Sequence, residues 1–281
     1  MEEIYMFSNL ENREQVEIEL ANLLKKKTIY KIDEFYLPIN QPDWVKRRIN
    51  GNRNALRKMK KAKKMAKVLS LFPFVQSVMI SGTLSKGYMD KTSDIDFFVI
   101  TKPGNIVISK FLIGCFRRVF ARKSFCVNFL LDWNNLYIKK QNIYSAIEIA
   151  TLIPVVDSGL YEKFISKNES WVLNFLPNIA FKKNDTFSIK DSFIKRNIEN
   201  LFSTIFFLKL GNSMLSFYLN KLGKGNEIHC ESLKTNELQI NNGVFKGHNL
   251  NYEKRILTLF ERYQKDILRN NRLILRNYFY D

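Results

Sequence analysis

The chain has 281 residues, 46% of them hydrophobic and 14% aromatic, which is enough for one large or two modest cores and reads as a soluble globular protein. Its three cysteines, Cys115, Cys126 and Cys230, are odd in number and widely spaced, without Cys-x-x-Cys or histidine pairing. That supports neither a disulfide framework nor a zinc site and fits a reducing compartment best. The formal charge of +18 points to nucleic acid, nucleotides or anionic membranes without choosing among them. A Lys-, Asn- and Ile-rich composition drawn from an AT-rich genome would give the same charge.

The start, Met-Glu-Glu-Ile-Tyr-Met-Phe, is acidic and lacks the basic and apolar regions of a secretion signal. The most membrane-like stretch, Leu201 to Leu219, is interrupted by Lys209, Gly211 and Asn212. A cytoplasmic protein without membrane insertion is expected. Residues Asn12 to Lys27 carry Val16, Ile18, Leu20, Leu23 and Leu24 at helical spacing. The next stretch, Thr28 to Ile39, alternates like a hairpin with Lys31 to Glu34 near its tip. A helix followed by a two-stranded wing makes residues 1–42 a winged-helix-like segment. With no recognition helix evident, it is expected to pack on its own protein rather than to read DNA.

No acidic residue occurs from Trp44 to Met89, and eleven Lys or Arg lie between Lys46 and Lys67. Ala55, Leu56, Met59, Ala62, Ala66 and Leu69 fall at helical spacing through the same run, so residues 43–71 are expected to form a connecting amphipathic helix with a basic outer face. That face is either a solvated surface or an anion-binding flank for a triphosphate or a nucleic acid.

The centre of the sequence is residues 77–101. An apolar run, Val78 to Ile80, reads as a buried strand; Ser81, Gly82 and Thr83 break it, and a polar turn leads to Asp94-Ile95-Asp96 and a second apolar run. Two carboxylates two residues apart on a strand share a face. Carboxylates are rarely buried without a partner, and a divalent metal would neutralise the pair. Ser81, Gly82 and Thr83 offer backbone amides and a hydroxyl to phosphate, and Ser85, Lys86 and Gly87 extend the cradle. An apolar residue, then Gly-Thr, ten residues and Asp-x-Asp inside a strand resembles the signature of the nucleotidyltransferase superfamily that includes DNA polymerase beta and the small MNT-type enzymes.

The resemblance implies an α+β fold: a polymerase beta-like core with a mixed sheet over residues 72–140, followed by a mostly α-helical domain over 141–281. It also implies two-metal transfer of a nucleoside monophosphate, with two magnesium ions on Asp94 and Asp96 and an NTP as substrate. Ser81, Gly82, Thr83, Ser85, Lys86 and Ser93 would bind the nucleotide. Thr83 stands where the family has Ser or Gly; it keeps the hydroxyl, although its β-branch narrows the turn's options.

After Lys102-Pro103-Gly104, residues Ile106 to Phe120 read as a helix and Phe125 to Trp133 as a third strand. Strict alternation puts Phe125, Val127, Phe129 and Leu131 on one face and Cys126, Asn128, Leu130 and Asp132 on the other. The family places a third carboxylate at mid-strand, where this chain has Asn128, a neutral oxygen donor that cannot act as a base. Asp132 would lie about 13 Å further on at strand rise. Glu148, in the helical stretch from Tyr144, is the candidate base for the acceptor, or else a helix-surface ion pair.

From Gln141 onward the pattern is helical, with helices around Ser158 to Asn174, Lys190 to Leu222 and Tyr252 to Tyr278 and loops at Pro154 to Gly159, Phe175 to Asn178 and Gly223 to Asn226. Residues 106–178, with the phrases Phe-Cys-Val-Asn and Trp171-Val-Leu-Asn-Phe-Leu-Pro-Asn, are similar to a bacterial group of nucleotidyltransferase-domain proteins. That likeness continues to Phe245-Lys-Gly-His248 and the Arg255-containing helix, and it implies no reaction narrower than the superfamily's. His248, in a loop, is a candidate phosphate ligand or proton relay; His229 is expected to be structural. The acceptor is left open among a protein side chain, a small molecule and an RNA end. The alternative to an enzyme is a catalytically degenerate core that binds nucleotide or nucleic acid.

Overall fold

The computed structural model describes residues 1–120, 124–183, 185–189, 193–202, 244–246 and 250–268. Helices α1 (Glu2–Met6) and α2 (Arg13–Lys25) open the chain, and strands β1 (Tyr30–Ile32) and β2 (Phe35–Leu37) follow as an antiparallel hairpin. Asn12 caps α2 by accepting from the Gln15 amide. Asp33, at the hairpin tip, takes a positive φ of 51°. This segment is tied to its own chain: the Asn178 side chain donates to the carbonyls of Tyr5, Ser8 and Leu10, and Arg48 pairs with Glu3 at 2.9 Å.

The long helix α3 (Pro42–Ser70) has proline in its first turn, where the missing N–H costs nothing. Strand β3 (Val75–Ser81), the short helix α4 (Gly82–Ser85), β4 (Ile95–Thr101), α5 (Ile106–Val119) and β5 (Phe125–Asp132) come next. They are followed by α6 (Ile143–Ala150), β6 (Ile153–Asp157), α7 (Leu160–Phe175), β7 (Phe187–Ser188), α8 (Phe193–Phe202), β8 (Val244–Lys246) and α9 (Leu250–Leu268). The fold is α+β, and the sheet is mixed, in the order β7-β6-β3-β4-β5-β8. The β4/β5 and β6/β7 pairs are parallel; the other three are antiparallel.

Strands β3, β4, β5 and β6 are largely buried on both faces, which is why they read as nearly continuous apolar runs. On one face Ala55, Ala62, Ala66 and Leu69 of α3 and Ile106 and Ile113 of α5 pack against Val78, Ile80, Phe97 and Val99. On the other, Ala146 and Ile149 of α6 and Leu160, Phe164 and Val172 of α7 pack against Met79, Phe98, Ile100 and Leu131. Phe98 stacks on Phe129 at 4.8 Å between ring centres, and Phe164 closes over Phe98.

Two expectations are corrected here. Residues Pro154 to Gly159 do not begin as a loop: Ile153 to Asp157 form a strand beside β3, with Ile153, Pro154, Val155 and Val156 all buried. Proline argues against a strand because it cannot donate to a ladder; here the β3/β6 register slips between Val78 and Met79, where Pro154 is paired. The strict alternation expected of β5 also fails, because its register against β4 slips between Phe97 and Phe98, opposite Asn128. Phe125, Val127 and Leu130 therefore enter the α3/α5 core, whereas Phe129 and Leu131 meet the α6/α7 core.

The expected helix from Lys190 is described only as α8, and the one from Tyr252 starts at Leu250 and is described to Leu268. The Gly223 to Asn226 loop, Cys230, His229, His248 and most of the Leu201 to Leu219 stretch lie outside the described residues. Among those described, no helix is long and apolar enough to cross a membrane.

A buried ionic anchor joins α8 to the start of β3. Phe74 has a positive φ of 66° and its N–H donates to Glu199 Oε1 at 2.7 Å, while Lys102 Nζ reaches Glu199 Oε2 at 2.6 Å. Lys195 donates to the carbonyls of Ser70 and Val75. Removing the carboxylate leaves a buried N–H without its acceptor and strands a half-buried lysine, so Glu199→Ala is expected to cost about 2–3 kcal/mol in urea denaturation. A loss below about 0.5 kcal/mol, the range of an ordinary surface change, would contradict this anchoring role.

Candidate active site

The site lies where β3 ends and β4 begins. In the antiparallel register Ser81 stands opposite Asp96, and the chain leaves β3 at Gly82. Gly82 has φ of +67°, and a methyl group built on it would overlap Asp96 Oδ2. Glycine is thus required twice, for the left-handed backbone and for the close approach of a carboxylate. Asp96 sits within β4, half-buried, whereas Asp94 precedes the strand and is exposed.

Three further groups converge on Asp96. Asn128, buried at the β5 register slip, donates its side-chain amide to the Asp96 carboxylate. Glu148, from α6 on the same face of the sheet, lies near enough to act on Asp96 by charge. Lys86 Nζ bridges the Gly82 carbonyl at 3.0 Å and Glu148 Oε1 at 2.8 Å. Burial pushes the Asp96 carboxyl up from 3.8 to about 6; the Asn128 hydrogen bond opposes this, and the charges of Glu148 and Asp94 add to it. Asp132, by contrast, pairs with Thr101 at the far end of β4 and caps the following turn by accepting from Asn134 and Asn135.

The remaining predicted residues divide. Thr83 is exposed at the lip of the turn, and Ser81 is buried beneath it with no side-chain cap on α4. Ser93 is half-buried, its amide donating to Asp90. Ser85 does not line the cradle: it is 2% exposed, and its hydroxyl donates to the Gly82 carbonyl and faces Thr151. It supports the loop from behind.

Three cations escape the sequence reading. Arg117, from the last turn of α5, brings Nη2 to 4.0 Å from Asp94 Oδ2, and its Nε is buried with no hydrogen-bond partner. Lys182 donates to the Ser85 carbonyl at 3.0 Å; burial, then the charge of Lys86, lowers its pKa. Lys110 donates to the Val127 carbonyl at 2.8 Å, beside the slip that turns Asn128. Burial lowers its pKa to about 8, against the attraction of Cys126. All three had only the signal of a basic residue on a helix or loop, and only the fold brings them together.

Among the described residues no three His, Cys, Asp or Glu side chains form a metal-binding group. The donors here are two aspartates and an amide oxygen. Magnesium is commonly held by one or two carboxylates with the rest of its shell from water and substrate phosphates. The oxygen-only set, and a carboxyl raised first by burial and then by the nearby charges of Glu148 and Asp94, fit such an ion.

Comparison with protein-family models, curated proteins and solved structures gives no match to this chain.

Because the folded state raises the Asp96 pKa, the stability tied to that group is fully present below 3.8 and is lost as pH rises through about 6. In metal-free buffer Asp96→Asn is expected to be more stable than the wild type by about 1–2 kcal/mol at pH 8, discounted for solvent screening, and near parity at pH 4. Urea denaturation with chelator at the two pH values measures this; a variant weaker than wild type at pH 8 contradicts it. Gly82→Ala should cost about 2 kcal/mol or more at either pH, from positive φ and the overlap with Asp96.

Proposed function

We propose that this protein is a magnesium-dependent nucleotidyltransferase, moving a nucleoside monophosphate from an NTP to an acceptor with release of pyrophosphate. The observation that carries the reading is the approach of the Gly82 turn to Asp96 inside a ring formed by Asp94, Asn128, Glu148 and Lys86. In this reading the sheet is a polymerase beta-like core, and the amino-terminal helix and hairpin are a winged-helix-like element packed on its own chain.

Asp94 and Asp96 would hold magnesium, with the Asn128 carbonyl oxygen as a weaker donor. When bound, the metal supplies positive charge that neutralises the triphosphate and polarises the α-phosphate. The amides of the Ser81 to Thr83 turn and the Thr83 hydroxyl orient the phosphates. Lys86 and Arg117 offset the charge that builds on the leaving pyrophosphate. The acceptor oxygen attacks the α-phosphorus, the bond to the bridging oxygen of the β-phosphate breaks, and pyrophosphate leaves with the electron pair. Glu148, held by its ion pair with Lys86, takes the acceptor's proton.

One feature favours a second reading, a nucleotide-binding core without turnover. Asn128 occupies the place where the resemblance expects a carboxylate, and its amide is engaged by Asp96.

The enzyme reading is tested by incubating the protein with magnesium and each α-labelled NTP, with candidate protein, sugar and RNA acceptors, beside Asp94→Asn/Asp96→Asn. Pyrophosphate release with label transfer is expected from the wild type and a fall of at least about a hundredfold in the variant, the scale of losing preorganised charge stabilisation. Metal-dependent nucleotide binding without turnover supports the second reading; no binding overturns both.

A further inference from the structure

The outer face of α3 has an arrangement that the site chemistry does not use. Lys46, Arg53, Arg57, Lys60, Lys64 and Lys67 follow one another at spacings of seven, four, three, four and three residues, a straight stripe on an α-helix. All six are exposed, and the stripe lies opposite Ala55, Ala62, Ala66 and Leu69, which anchor α3 in the core. It runs about 32 Å at helical rise. Lys61 and Lys63 are exposed on its flanks.

Among the described residues the centre of the stripe has no neutralising partner. Lys46 pairs with Asp43, and the Lys67 ammonium sits 3.4 Å from the centre of the Phe187 ring. Arg53, Arg57, Lys60 and Lys64 have no carboxylate within 4.0 Å among the described residues. Like charges three and four residues apart repel along a helix, and here they recur without an intervening acid. A surface kept soluble by charge usually intersperses both signs.

Beside the stripe, α3 meets the loop that carries the carboxylates. Arg47 reaches Tyr88 and Asp90, and the Met89 amide donates to the Gly51 carbonyl. A cleft of about 530 Å³ opens there, lined by Arg47, Asn50, Asn54, Asp90, Lys91 and Thr92. Amide and hydroxyl groups at the end of a row of cations suit a sugar-phosphate chain. A lipid surface would seek an apolar helix face as well, but that of α3 is spent inside the protein; its outer face has Leu56 as a lone exposed apolar side chain in the basic run.

We propose that the outer face of α3 is a docking track for the phosphodiester backbone of a nucleic acid, with Arg53, Arg57, Lys60 and Lys64 as its central contacts. This does not rest on the nucleotidyl-transfer reading, since it requires neither NTP nor metal.

Fluorescence anisotropy with a labelled 20-nucleotide RNA and its DNA counterparts, over a salt series without magnesium, tests the track. Two variants with the same net charge are compared: Arg53→Gln/Arg57→Gln/Lys60→Gln/Lys64→Gln, and Lys25→Gln/Lys139→Gln/Lys163→Gln/Lys167→Gln, which removes exposed lysines elsewhere. Circular dichroism checks that each remains folded. The wild type is expected to bind, and the α3 variant to bind at least tenfold more weakly, with a log–log salt slope shallower by about 3 for single strands. The second variant should stay within about threefold of wild type, the residual effect of overall charge. Equal weakening of both variants overturns the proposal, as does absence of binding. Capture by vesicles rich in anionic lipid without binding to either nucleic acid overturns it in favour of a membrane surface.

Discussion

The structure turns on the contact between the Gly82 backbone and the Asp96 carboxylate. Asp96 is brought there by the antiparallel pairing of β3 and β4 and is held by a hydrogen bond from Asn128. The arrangement concentrates negative charge from Asp94, Asp96 and Glu148 at one end of a sheet whose interior is apolar, which is unfavourable unless a cation completes it. Lys86 and Arg117 answer part of that demand. Such an imbalance at the edge of a well-packed core is characteristic of sites that bind something.

The scaffold explains why the imbalance is tolerated. Helices α3 and α5 cover one face of the sheet and α6 and α7 the other, so β3 and β4 are held rigidly where they carry the turn and Asp96. The slip in β5 has a specific use: it turns Asn128 toward Asp96 while Lys110 holds the neighbouring Val127 carbonyl. Strand β6 extends the sheet beyond β3, and α6, just before it, supplies Glu148. The second half of the chain therefore helps to build the site, not only to flank it.

Much of this was legible in the sequence, and the failures have physical causes. The apolar runs around Ile80 and Phe98, the Gly82 turn and the Asp94-x-Asp96 pair gave the core strands, because the period and composition of buried strands are local properties. Glu148 was found as an acid in a helix following the third strand. Pro154 hid β6, since a proline normally marks an edge or a break and the compensating slip in β3 pairing is a tertiary event. The bulge in β5 was invisible for the same reason, and with it the true facing of Leu130 and Leu131. Ser85 was misjudged because sequence gives its proximity to the turn but not the direction of its hydroxyl. Arg117 and Lys110 reach the site from α5 and Lys182 from the stretch after α7, and nothing local in the sequence marks which basic residues of that helix turn inward.

The basic helix and the carboxylate site are separate features of charge on one scaffold, and the central claim concerns the second. Its most direct measurement is a crystal structure with manganese in place of magnesium and a non-hydrolysable NTP analogue, collected for anomalous scattering. The account predicts a manganese peak within coordination distance of Asp94 and Asp96, about 2.0 to 2.3 Å, with the triphosphate against the Ser81 to Thr83 turn. Metal and nucleotide bound elsewhere on the chain, or a nucleotide whose phosphates avoid Asp94 and Asp96, would contradict it.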